Sequence, residues 1–247
     1  MTAENFQACL AFTLKYEGGR SNDPRDPGGR TMEGVTQRTY NAYCAKMGHG
    51  QKDVYLMLPQ ERDEIYHTGY WDAVKGDMLR HGEDLCVFDF AVNSGPARAL
   101  ARRAAVLKTP GISTGDLISG ICARRLSFLH SLRTWGHFGG GWGRRVAACE
   151  ALAIRMAYGK SAPEVLGRKA DEANFHSGKK ATHATVGGSI AASATIAHAV
   201  HGGMSGAAET SILVTVAIIA GIFLFHSWRQ SQRANAFVTE EIGRAHV

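Results

Sequence analysis

The sequence predicts a mainly α-helical protein with an apolar segment near its C-terminus. Three observations predict it. Apolar residues recur at helical spacing through most of the first 160 residues, no extended alternation of apolar and polar residues appears, and residues 210–228 run without Asp, Glu, Lys or Arg. The first helix is expected over residues 3–16, which lack glycine and proline and carry Phe6, Leu10 and Leu14 on one face. At about 100° per residue, Glu17 falls roughly 20° from Phe6 around that helix, on the apolar stripe. Gly18 and Gly19 are suited to cap it, ending the helix at the acid. In the loop that follows, Asp23-Pro24, Asp26-Pro27 and Gly28-Gly29 fix a tight conformation. A short strand is expected around residues 34–36. Further helices are expected over Pro59–Tyr66, where Leu58-Pro59-Gln60-Glu61 has the form of a helix start, and over 84–92, 96–107, 115–134 and 141–158. Some 160 such residues bury an adequate core as one lobe or as two packed subdomains.

The chemistry concentrates in Glu17 and the loop after it. A carboxyl group at the C-terminal end of a helix, on its apolar side, is partly desolvated and feels the negative end of the helix dipole. Both effects penalise the ionised form and raise the pKa, as a general acid in sugar chemistry requires. The loop adds two more carboxylates, Asp23 and Asp26, and Thr31. Spacing alone leaves a second reading open, in which Glu17 is the exposed last turn of a helix and the Asp/Pro/Gly run is a structural turn.

The run E-G-G-R-S-N-D-P-R-D-P-G-G-R-T-M-E-G-V-T, from Glu17 to Thr36, resembles the opening signature of glycoside hydrolase family 108. These are phage-type peptidoglycan hydrolases with a lysozyme-like fold. Tyr70-Trp71-Asp72, the run from Phe88 to Pro96, and Trp135-Gly136-His137-Phe138-Gly139 also resemble the family, the later blocks resembling its predicted peptidoglycan-binding segment. The resemblance covers residues 3–160. It implies a lysozyme-like catalytic domain over 1–93 and a helical wall-binding segment over 94–160 packed on it. It also implies Glu17 as the catalytic acid. Asp26 stands nine positions later, the offset of the second carboxylate in phage lysozymes, and Thr31 lies one residue short of the offset of their active-site threonine. Asp26, or else Asp23, would stabilise the oxocarbenium-like charge or orient water, with Thr31 helping to place it. Arg20 and Met32 depart from the Tyr and Asn usual in the family, changes that would alter sugar contacts beside the acid.

Elsewhere the residues speak for structure. The five cysteines, Cys9, Cys44, Cys86, Cys122 and Cys149, have no recurring spacing and read as reduced core thiols. No cysteine cluster, histidine pattern or glycine-rich phosphate loop points to a metal or cofactor, and none is expected. Asp89 lies in an apolar run and needs a hydrogen-bond partner. Trp135, Phe138 and Trp142, flanked by glycines, form a candidate groove-lining segment whose aromatic faces suit sugar rings. The net charge is +6, with arginine pairs at 102–103, 124–125 and 144–145. Beside the catalytic motif this charge points to the anionic wall or membrane surface, not to nucleic acid.

After Tyr158 the composition changes. Residues 161–180 are polar and read as a linker. Residues 210–228 are long enough, at roughly 28 Å, to span the hydrocarbon layer. A weaker candidate, 181–200, is rich in Ala, Ser, Thr and Gly. If both cross, a membrane segment over 181–232 forms a hairpin with basic flanks inside, capable of holin-like self-association; otherwise the first part is a flexible stalk. No signal-peptide pattern precedes the first helix. Residues 241–247 read as the in-frame translation of a common sequencing adapter. The expected protein is therefore made in the bacterial cytoplasm, associates with the inner membrane and attacks the periplasmic wall. Its alternatives are a lytic transglycosylase using the same acid and a non-catalytic wall-binding or tethering protein.

Overall fold

The computed structural model describes residues 2–22, 29–172, 228–233 and 235–237. The chain forms two compact units, Met1–Gly159 and Lys160–Val247. In the first, α1 (Thr2–Leu14) stops short of Glu17. The chain nevertheless keeps turning, because the N–H groups of Tyr16 and Glu17 both donate to the Thr13 carbonyl, at 3.0 and 3.2 Å. Gly18 and Gly19 do not take a positive φ, so the expected glycine cap is absent and the chain leaves directly into β1 (Arg20–Ser21). With β2 (Thr31–Met32) and β3 (Val35–Thr36) it makes an antiparallel sheet in the order β1-β2-β3. Ser21 stands opposite Thr31, and Met32 opposite Val35. Strands of two residues are too short to show alternation, which is why only the region of β3 is legible in the sequence.

Thr36 then caps α2 (Gln37–Lys46), its hydroxyl accepting the N–H of Thr39. That helix buries only Tyr40 and Cys44, too little to mark it by pattern. At α3 (Pro59–Tyr66), Pro59 occupies the first turn and the Glu61 carboxylate accepts the Leu58 N–H at 2.8 Å, as the local sequence predicts. A wide turn, His67–Trp71, leads through two short 3-10 turns to α4 (Glu83–Ser94). The helices α5 (Pro96–Leu107), α6 (Thr114–His130) and α7 (Trp135–Tyr158) complete the unit. The start of α7 lies six residues before the expected one, because the helix runs through the glycine-rich stretch. Apolar nearly all round, α4 is buried accordingly, packing on α1, α5, α6 and α7 through Leu85, Val87, Phe88, Phe90 and Ala91. It joins the two expected subdomains into one core.

In the second unit, residues 162–172 form a helix where composition predicts a linker. Ala162, Val165, Leu166 and Ala170 recur at helical spacing and are buried. Among the described residues no helix is long and apolar enough to cross a membrane. The expected spans at 181–200 and 210–227, and the terminal run 241–247, lie outside those residues, while Trp228 belongs to a helix over 228–233.

The polar centre of the core is Asp89 on α4, which has no solvent exposure. Thr13 on α1 donates its hydroxyl to Oδ1 at 2.9 Å. Arg125 on α6 donates to Oδ2 at 2.5 Å, and Arg145 on α7 donates Nη2 to Oδ1 at 2.7 Å and Nε to both oxygens at 3.2 Å. Burial alone would push this carboxyl up, but the two guanidiniums outweigh it and hold the pKa down to about 2. A depressed native pKa makes the contribution to stability complete above the unfolded value, near 4, and lost as pH falls through about 2. Asp89→Asn is expected to destabilise the protein at pH 7 by about 3–5 kcal/mol, since it strips the counter-charge from two buried arginines. In denaturant unfolding, the gap between wild type and variant should narrow from pH 4 to pH 2. A gap constant over that window would contradict the ion-pair account.

Candidate active site

Glu17 sits where α1, the small sheet and α7 meet. Its side chain is 20% exposed, so solvent and a ligand can reach it. Arg145, itself 8% exposed, donates the same Nη2 to Glu17 Oε1 at 2.8 Å and to Asp89 Oδ1 at 2.7 Å. Burial works against the Arg145 charge, but Asp89 and then Glu17 outweigh it and hold the guanidinium ionised. The ring of Tyr16, 40% exposed, lies 5.4 Å from the Arg145 guanidinium and covers it from outside. The helix thus delivers the carboxylate, and the core fixes one of its oxygens.

The other oxygen faces the turn between β2 and β3. Gly34 there has φ of +79°, and a Cβ on it would stand 2.3 Å from Tyr66 Oη and 3.1 Å from Glu17 Oε2. Only glycine accepts both that backbone conformation and that approach. The turn is anchored from α3, where Tyr66 donates its hydroxyl to the Glu33 carbonyl at 2.8 Å and Arg62 pairs with the Glu33 carboxylate at 2.9 Å. Burial first, and the nearby Glu17 second, push the phenols of Tyr66 and Tyr70 up, so both stay protonated beside the acid.

Asp23 and Asp26 fall outside the described residues, but the stem of their loop is well defined. Tyr55 lies between two cations, with Arg20 at 3.9 Å and Arg30 at 4.4 Å from its ring centre. Its hydroxyl donates to the Ser21 carbonyl at 2.8 Å, and Arg30 also pairs with Asp53. Arg20, expected to meet substrate, is thus engaged in closing the loop from below. Thr31 donates its hydroxyl to the Gly29 carbonyl at 3.1 Å, where the loop enters β2. It stands in β2 opposite Ser21 and Thr36, and among the described residues no hydrogen bond joins it to Glu17.

Trp135 and Phe138 lie in the first turns of α7, not in a loop. Trp135 and Trp142 have ring centres 6.2 Å apart, and Phe138 stacks on Trp142 at 5.6 Å. A Cβ on Gly139 would meet the Trp135 ring at 2.5 Å, so glycine lets the indole fold against the helix. Phe138, 48% exposed, presents its ring to solvent. Phe138, Trp142 and Arg145 share one face of α7 by their spacing, which places the aromatic residues and the acid's guanidinium partner along a common line.

Sequence reasoning missed Arg145, Tyr66 and Gly34. A signal for the first existed: Arg145 falls in step with Trp142, Cys149 and Ala153 on the apolar side of α7, as Arg125 does with Ile118, Ile121 and Leu129 on α6. Charge patterning alone makes the arginine pairs a surface feature, whereas in two of them the second member is buried. Gly34→Ala is expected to lower any activity that depends on Glu17 by at least tenfold, and stability by roughly 1–3 kcal/mol through the strained φ. Assay and thermal unfolding on one preparation would check both. Wild-type activity in the variant would show that the turn does not position the acid.

Residues 10–95 match the family model described as Glycosyl hydrolase 108. A solved structure of SagA from Brucella abortus is similar, at 28% identity and a TM-score of 0.56, covering 64% of this chain and 99% of that one. No curated protein matches the chain. The matched stretch carries Glu17, the sheet and α3, so the likeness to the glycosyl hydrolase 108 family lies where the candidate site is built.

Proposed function

We propose that the protein is a peptidoglycan glycosidase that cuts the glycan backbone with Glu17 as general acid. One observation carries the reading: within the family-108 stretch, a partly exposed carboxylate is held by a fixed guanidinium at the edge of a small sheet whose loop carries two further carboxylates. Oε1 accepts from Arg145, so Oε2 is the oxygen left to protonate the glycosidic oxygen. Asp26, or else Asp23, stabilises the oxocarbenium-like charge or orients water, and its separation from Glu17 decides between a retaining and an inverting course. Thr31, fixed on the adjoining strand, helps to place that water.

Trp135 and Phe138 offer aromatic faces to sugar rings along α7, and residues 94–160 serve as the wall-binding part. The apolar run of residues 210–228 holds the enzyme at the inner membrane, from which it acts on the periplasmic wall during lysis.

The test compares the full chain with its Glu17→Gln variant on purified walls, following turbidity and released muropeptides. Wild type should release new reducing ends, and the variant should be about 10²–10⁴-fold slower. Anhydro-sugar products would replace the hydrolase with a lytic transglycosylase. Wall binding without release would replace it with a non-catalytic binder, and equal release by both chains would remove Glu17 from the mechanism.

A further inference from the structure

Three cysteines that no spacing connects in the sequence meet in the core of the first unit. Cys86 on α4, Cys122 on α6 and Cys149 on α7 place their Sγ atoms within 4.8 Å of one another, all three fully buried. Cys86 Sγ lies 3.4 Å from Cys122 Sγ and 3.9 Å from Cys149 Sγ, and none is in a disulfide. We propose that Cys86, Cys122 and Cys149 form a trigonal thiolate site for a soft monovalent cation, Cu(I).

The geometry selects the ion. Metal–sulfur bonds of about 2.3 Å place three coplanar sulfurs about 4 Å apart, so the three thiols need only small rotamer shifts. Structural zinc almost always takes four ligands, and among the described residues no fourth Cys, His, Asp or Glu joins the group. A closed, dry, three-sulfur site suits a soft ion content with three thiolates. Arg125 follows Cys122 by one turn of α6, which sets a buried cation next to that corner of the cluster. Arg125 also keeps its buried Nε–H without an acceptor, a donor still uncommitted near the cluster. On binding, three S–H bonds are replaced by three Cu–S bonds and three protons pass to solvent. Copper stays monovalent and no electron moves.

The experiment uses the reduced full chain under anaerobic conditions, loaded with Cu(I) against the chromophoric chelator bathocuproine disulfonate. One copper per chain should resist the chelator, with three sulfur neighbours in its X-ray absorption spectrum. Cys86→Ala, Cys122→Ala and Cys149→Ala should each weaken binding at least 100-fold, while Cys9→Ala and Cys44→Ala leave it unchanged. Circular dichroism checks that the variants fold. Alkylation mapping of the wild-type chain decides independently of any variant, because copper should protect these three thiols and no others. Complete loss of copper to the chelator, protection of Cys9 or Cys44 instead, or two thiols lost to a disulfide without bound copper would each overturn the site.

Discussion

The arrangement at the candidate site depends on one buried carboxylate, Asp89. Arginine is hard to bury alone, and two arginines from different helices converge on this group. The Arg145 fork uses both Nε and Nη2 on Asp89, which fixes the guanidinium in a single plane. Its Nη2 then has a set direction in which to meet Glu17. Asp89, Arg125, Arg145 and Glu17 carry two charges of each sign, so the set is neutral when all are ionised. Packing of α1, α4, α6 and α7 and placement of the acid are thus one problem with one solution. Thr13 adds a hydroxyl from the helix that delivers Glu17, tying the acid's own element to the same anchor.

The opposite wall is built differently. Strands of two residues contribute little cohesion, so the sheet depends on what the helices send into it. Tyr66 and Arg62 hold the β2–β3 turn from α3, and Tyr55 holds both ends of the Asp-rich loop through two guanidinium–ring contacts and one hydrogen bond. These contacts are more exposed than the Asp89 network and contribute less each. The acid is therefore fixed from the core side, while the loop facing it is tied at its stem.

Much of the helical architecture was legible because apolar spacing and caps act locally. Pro59 and Glu61 wrote the start of α3, and Pro96 that of α5. Local pattern also singles out Glu17, an acid on an apolar stripe before Gly-Gly, and the fold sets it against Arg145. What could not be read depends on contacts across the fold. The Arg145–Glu17 pair spans 128 positions, and the same arginine's bond to Asp89 spans 56. The three thiols come from three helices, with no spacing rule to link them. The early start of α7 was hidden for another reason. Its glycines have poor helix propensity, and packing of Trp135 and Trp142 overrides that preference. Residues 162–172 show the reverse error, since a polar composition concealed a four-residue apolar stripe.

On the proposed reaction, the guanidinium on Glu17 has a consequence for rate. A general acid that starts protonated meets the Arg145 cation only as a neutral acceptor. As the proton moves to the glycosidic oxygen, the same Nη2 comes to face a carboxylate, and the contact becomes an ion pair. The interaction therefore strengthens along the reaction coordinate, and only such interactions lower the barrier to the chemical step. Arg145 need not move to do this, because Asp89 has already oriented it; the reorganisation was completed when the protein folded. On that proposal the part played by the core is to aim one guanidinium at Glu17 before any substrate is bound.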